Sequence, residues 1–227
     1  ALMKTPPKTT DELLALMKKD TKADSYVYVE QHSTAYYAAA WMHPFGGWII
    51  NGKAEPGLSS PQTQAALAYH AQFVPYMPKD GEWNTVTTLF TEGKAASTLN
   101  GPWFVPAARE KGIDLGFAPL PTVKVGGKQV PLAPYAGVQG LMMLSASPNK
   151  AAARKVMQFA LGKDLSESLS LVTGAAPAHK DAYKNKTIGA NELVSAMKAA
   201  GEGAQPMPNI PQMDIMWGTT EAALVAI

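Results

Sequence analysis

Five tryptophans stand in this 227-residue chain, and three lie where the sequence offers little to bury them. Trp83 sits in the polar stretch Asp80-Gly81-Glu82-Trp83-Asn84, and Trp103 closes Asn100-Gly101-Pro102-Trp103. Trp217 follows the heptapeptide Met207-Pro208-Asn209-Ile210-Pro211-Gln212-Met213. An indole beside Gly, Pro and Asn presents a flat apolar face with a polar edge. Such a face suits ligands that carry flat C–H patches rimmed by hydroxyls, which is the chemistry of a sugar ring. Trp41 and Trp48, set among apolar residues, read instead as packing rings.

Other chemistries find less support. Asp80, Glu82, Asp214 and Glu221 lie near the indoles, but glycoside cleavage needs two carboxyl groups about 5 Å or about 6.5–9.5 Å apart, and no motif pairs them. His43, His70 and His179 lack the spacing of a metal site. The absence of cysteine removes disulfides, thiolate metal ligands and thiol nucleophiles together. Gly126-Gly127 reads as a turn, since nothing around it makes a phosphate loop. Met142-Met143 and the other methionines read as gap-fillers.

Composition narrows the class further. Hydrophobic residues make up 46% of the chain and charged residues only 17%, which argues against a disordered polymer. The formal charge is +2 with the lysines scattered, so no basic stripe exists to neutralise a nucleic-acid backbone. No apolar run approaches the roughly 18 residues of a membrane span. The length suits one large domain or two small ones.

Strands and helices must then position the rings. Thr9-Thr10-Asp11-Glu12 is a capping box opening a helix with Leu13, Leu14 and Met17 on its apolar side. Ser25–Glu30 alternates as a strand, Tyr36–Met42 reads as a helix, and Trp48–Ile50 reads as a short strand before an Asn51-Gly52 turn. Pro61 opens another helix. Val86, Leu89 and Phe90 mark a helix ended by Gly93, with Lys94–Leu99 a strand after it. Pro102 begins a helix that stops at Gly112, Leu115–Ala118 reads as a strand, and Gly126-Gly127 as a hairpin turn. Gly137–Ser145 reads as the clearest buried strand, and the helix opened at Pro148 carries Val156 and Phe159 on one face. Further helices start near Leu165, Asn191 and Pro211. The alternation predicts α/β layers.

The order of motifs is similar to that of the bacterial maltose/maltodextrin-binding proteins of ABC transporters, a family of extracellular solute-binding proteins. The residues that carry the likeness are Phe90-Thr91-Glu92-Gly93-Lys94-Ala95-Ala96, Asn100-Gly101-Pro102-Trp103, Gly137-Val138-Gln139-Gly140, Ser147-Pro148-Asn149-Lys150 and the heptapeptide with Trp217. Pro7-Lys8-Thr9 and Phe45-Gly46-Gly47 fit the same order. The resemblance covers essentially the whole chain. It implies an α/β, periplasmic-binding-protein-like (type II) lobe, with most of the N-terminal lobe absent. Residues 1–133 and 178–227 would form a discontinuous domain like the C-terminal lobe. The strand–helix segment 137–174 belongs to the N-terminal lobe in intact members, so its apolar faces would be left without partners.

By the same resemblance Trp103 and Trp217 match sugar-stacking aromatics, Trp83 stands where the family often has Tyr, and Tyr36 matches an aromatic ahead of Gly46-Gly47. Glu221, four residues beyond Trp217, shares its helix face and could accept sugar hydroxyls. The family pattern has Arg there, which leaves the preferred sugar open. His32, with Glu30 beside it, lies in the loop before Tyr36 as a further candidate contact. The implied function is capture of maltose or maltodextrin, without catalysis or cofactor, for presentation to an ABC transporter permease. The implied location is periplasmic, or extracellular and tethered to the membrane. The alternatives are a split-protein half that assembles with the missing N-terminal lobe or a second copy, and a glycoside hydrolase. No nucleic-acid partner is expected.

Overall fold

The capping box begins the first helix as the sequence predicts. In the computed structural model, which describes Met3 and residues 5–226, α1 spans Thr10–Asp20. Thr9 Oγ1 accepts the Glu12 backbone N–H at 3.1 Å, while the Glu12 carboxylate reaches back one residue further, to the Lys8 N–H at 2.8 Å. One backbone donor of the first turn and one just ahead of the helix are thereby satisfied. Strand β1 (Tyr26–Val29) follows, then α2 (Ala35–Met42), α3 (Pro61–His70), α4 (Trp83–Thr91), β2 (Ala95–Thr98) and α5 (Val105–Glu110). β1 and β2 pair in parallel, with Tyr26 opposite Ala95. Next come β3 (Thr122–Val125) and β4 (Lys128–Pro131), an antiparallel hairpin turned by Gly126 and Gly127. Both glycines have positive φ, the conformation a two-residue turn requires and side chains resist. Strand β5 (Tyr135–Ala136) completes this run.

The chain divides into two compact units, Ala1–Ala136 with Ala200–Ile227, and Gly137–Ala199. The second unit contains α6 (Lys150–Ala160), α7 (Lys163–Thr173) and α8 (Lys186–Gly189), and the first part of α9 (Glu192–Gly203). The first unit resumes with β6 (Gln205–Pro206), parallel to β5, and ends with α10 (Gln212–Val225). This division separates the chain at 136/137, close to the sequence boundary. It keeps 178–199 with the second unit, where the resemblance would assign those residues to the first.

The first unit has its main core between α1, β1, α2 and the end of α3. Met17, Trp41 and Phe73 are completely enclosed there. A second cluster joins α2 to β5 and α10 through Ala35, Ala38, Met42, Tyr135, Met213 and Leu224. That cluster is what sets the aromatic residues of three distant segments beside one another.

Three expected strands fail for a common reason. Gly137–Ser145 is irregular, with Val138 93% and Met142 94% exposed. Leu115–Ala118 forms no regular structure, and Trp48–Ile50 keeps only a single bridge, Ile50 to Pro56. A strand exists through its neighbour's hydrogen bonds, and among the described residues these segments have no neighbouring strand to complete. Val156 and Phe159 share a face of α6 as expected, and that face is exposed.

Candidate functional site

Three devices bring the rings together in the first unit. The Ala133 N–H donates to Ala40 O at 3.1 Å, tying the exit of the hairpin to the end of α2. His43 Nδ1 donates to Ala133 O at 2.6 Å and reinforces the same joint. The β5–β6 ladder then sets Tyr135 opposite Gln205, and the heptapeptide leads from β6 into α10.

The result is a continuous row of four rings. Trp103 lies 6.2 Å from Tyr36, Tyr36 lies 6.2 Å from Tyr135, and Tyr135 lies 6.3 Å from Trp217, centroid to centroid. The planes turn by 58°, 39° and 86° along the row, so the wall is faceted. Trp103 is 51% exposed and Tyr36 and Trp217 are half-buried, whereas Tyr135 is buried between the last two and backs the row. Burial raises the pKa of Tyr36 and pushes that of Tyr135 up to about 12. The phenols therefore stay neutral through the physiological range, which suits an uncharged, hydroxylated ligand.

Tyr135 is the ring the sequence reading missed. Its only local signal is an aromatic after Pro134 and ahead of Gly137. Its place in the row depends on α2 and α10, both remote in sequence.

The remaining candidates fall out differently. Trp83, 38% exposed, is the first residue of α4 and meets Phe104 edge-on at 6.1 Å. Phe104 in turn meets Phe90 at 5.2 Å, so Trp83 belongs to a second aromatic corner beside Trp103 and is not stacked in the row. Glu221 is half-buried one helical turn beyond Trp217, as the i, i+4 spacing predicts. Its carboxylate makes no hydrogen bond or ion pair among the described residues and is available as an acceptor.

His32 is largely buried. It is only 9% exposed, its Nε2 lies 3.0 Å from Pro78 O, and its ring fills the space beside Gly81. Through Nε2 it braces the 78–81 turn. Glu30, beside it in sequence, ends β1 in the core, where it accepts hydrogen bonds from Tyr28, Trp41 and His70. Trp41 is core as expected, and Trp48 is half-buried, with its indole N–H on Glu55 O at 3.1 Å. Tyr37 packs beneath α2, and its hydroxyl donates to Asn100 Oδ1.

Of the carboxylates near the indoles, Asp80 is engaged structurally. Asp80 caps α4, accepting the Glu82 N–H at 2.9 Å and the Thr85 hydroxyl. The Thr85 bond first and the Glu82 N–H second hold its pKa below the ordinary value, the opposite of what a general acid needs. Among the described residues no group of three His, Asp or Glu side chains is arranged to hold a metal ion. No helix there is long and apolar enough to cross a membrane.

Residues 1–165 match the family described as bacterial extracellular solute-binding protein. The chain belongs to that family. It is 31% identical over 223 residues to the maltotriose-binding protein of Pyrococcus abyssi, covering 96% of this chain and 49% of that one. It is 28% identical over 239 residues to a maltodextrin-binding protein of Bacillus subtilis, covering 98% and 57%. A cyclo/maltodextrin-binding protein complexed with maltotetraose superposes with a TM-score of 0.88 at 27% identity, covering 99% of this chain and 60% of that one. The maltose-binding protein of Listeria monocytogenes in complex with maltose gives 0.86 at 25%, covering 99% and 62%. The chain thus spans about half the length of the curated relatives it matches. Its fold is that of part of a type II solute-binding protein, and the family is defined by binding extracellular solutes.

Proposed function

We propose that this chain is the sugar-gripping part of a maltodextrin receptor serving an ABC importer. The observation that carries the reading is the four-ring row Trp103–Tyr36–Tyr135–Trp217. A faceted, uncharged wall fits a chain of sugar units whose rings turn relative to one another. Trp83 extends the apolar surface past Trp103, and Glu221 supplies an acceptor for hydroxyls at the Trp217 end. The ligand is released unchanged to a permease in the membrane, and the receptor works outside the cell or in the periplasm. The named ligands of the relatives, maltotriose and maltodextrin, support this class of sugar.

Stacking about 50 Å² of apolar sugar surface on one ring contributes roughly 1 kcal/mol. The three accessible rings, Trp103, Tyr36 and Trp217, fall short of the roughly 8 kcal/mol of micromolar binding, so the opposite wall of a complete cleft supplies the remainder. Two lobes that close around the ligand favour the closed state because the sugar touches both. Residues 1–133 and 178–227 supply the C-terminal-lobe side in this reading, and 137–174 belong with the other lobe. The test is calorimetric titration with the series from maltose to maltoheptaose. The expected outcome is weak binding that strengthens with chain length, while submicromolar affinity for maltose would overturn the half-cleft account.

A second reading is compatible with the first. Val138, Met142, Val156, Phe159 and Val172 leave apolar faces of the Gly137–Ala199 unit uncovered. They favour assembly, either with the polypeptide that the longer relatives carry in addition or with a second copy of this chain. Mixing the chain with an N-terminal-lobe polypeptide of a relative and recovering tight sugar binding tests the first of these. Release of reducing sugar from maltodextrin would return the hydrolase alternative.

A further inference from the structure

Tyr37 follows Tyr36 in α2, yet the two rings serve different ends. The Tyr36 ring belongs to the aromatic row, and the Tyr37 ring meets it edge-on at 5.5 Å from beneath. The Tyr37 hydroxyl, 63 residues away in sequence, donates to Asn100 Oδ1 at 3.1 Å. The same oxygen accepts the Gly101 backbone N–H at 2.9 Å. A backbone N–H can only donate, so it fixes which end of the Asn100 amide faces the turn. The nitrogen end is left over: Asn100 Nδ2 is buried without a partner, and so is Gln31 Nε2. The amide is therefore oriented by what its oxygen holds and not by its own satisfaction.

What that oxygen holds is the seat of an indole. Trp103 lies so close over Gly101 that a Cβ there would stand 2.2–2.4 Å from the ring atoms Cη2, Cζ2 and Cζ3. The backbone at Gly101 thus sets the height and tilt of the ring, and Asn100 sets the backbone. We propose that Tyr37 and Asn100 are positioning residues for Trp103, clamping the Asn100–Pro102 turn so that the indole stays in register with Tyr36. The use of that register rests on the reading of the row as a sugar platform. The clamp itself is a statement about ring placement and stands apart from it.

The test is indole N–H spectroscopy of the ¹⁵N-labelled 227-residue chain, alone and titrated with maltotetraose. In the parent, nuclear Overhauser contacts between Trp103 and Tyr36 are expected, with both the Trp103 and Trp217 signals moving on titration. Tyr37→Phe removes one oxygen; it is expected to erase the Trp103–Tyr36 contacts and weaken the Trp103 response about tenfold while the Trp217 response persists. Asn100→Ala is expected to do the same. Asn100→Asp, which keeps an acceptor for both donors and loses the unpaired nitrogen, is expected to behave like the parent. Parent-like ring contacts in Tyr37→Phe overturn the proposal, as does an Asn100→Asp variant that folds but loses them. Should Asn100→Ala fail to fold, the Tyr37→Phe comparison still decides. Should neither indole of the parent respond to the sugar, the receptor reading fails, and the sugar-free ring contacts still judge the clamp.

Discussion

Three donors converge on the buried carboxylate of Glu30, from Tyr28, Trp41 and His70. Burial alone would raise its pKa, but the His70 charge and these hydrogen bonds outweigh it and hold the carboxyl below its ordinary value. Removing one side of such a buried pair strands the other, so Glu30→Ala is expected to cost about 3–5 kcal/mol in urea unfolding at pH 7. The sign with pH follows from the lowered pKa. The contribution is fully present above the ordinary value of 4.5 and is lost as pH falls through the lower folded-state value. The acid limb of the stability curve should therefore be shallower in Glu30→Ala than in the parent. At the row, Trp217→Ala and Trp103→Ala are each expected to weaken binding of a long dextrin about five- to tenfold, the equivalent of roughly 1 kcal/mol per ring. Trp103 and Trp217 were legible in the sequence because Gly, Pro and Asn beside an indole leave it little cover. Glu30 and His32 are not separable in sequence, because a polar side chain near a site and one held by distant partners look alike there. Only His70 and Pro78, 40 and 46 residues further on, tell them apart.

Local chemistry carried most of the elements. Thr9 begins α1 and Ser60 begins α3, the latter accepting the Thr63 N–H at 3.2 Å ahead of Pro61. Gly93 and Gly112 close helices with positive φ. The element that departs from local preference is the 51–55 turn, where Asn51 Oδ1 accepts the N–H groups of Lys53 and Glu55. That turn forces Ala54 to φ 62°, a left-handed conformation that costs an alanine about 1 kcal/mol or more. Ala54→Gly is expected to raise the thermal midpoint or leave it level despite the entropy of glycine, whereas Ala54→Val is expected to lower it. Differential scanning calorimetry of the two variants decides. Gly137–Ser145 marks the limit of such reasoning. Its run of apolar residues is genuine, but a pattern of side chains cannot state whether a neighbouring strand is there to receive it.

At the scale of the molecule, the apolar faces around Val138, Met142, Phe159 and Val172 predict self-association in dilute buffer. Light scattering should give a mass that rises with concentration, and Met142→Lys with Phe159→Lys should shift it toward one chain. A stable monomer at all concentrations would count against pairing with a second copy. The α/β class and the family order of motifs were readable from the sequence. The structure divides the chain after residue 136 and keeps 178–199 with the second unit through packing against α7, which no composition shift announces. The fully enclosed indole of Trp41, with its N–H on Glu30, has a use that its position in the core makes plain. Its proton can trade with deuterium only when the first unit opens as a whole, while that of the exposed Trp103 trades at once. One molecule thus carries a slow clock for its core and a fast one for its proposed binding face, and a bound sugar should be seen to retard the fast clock first.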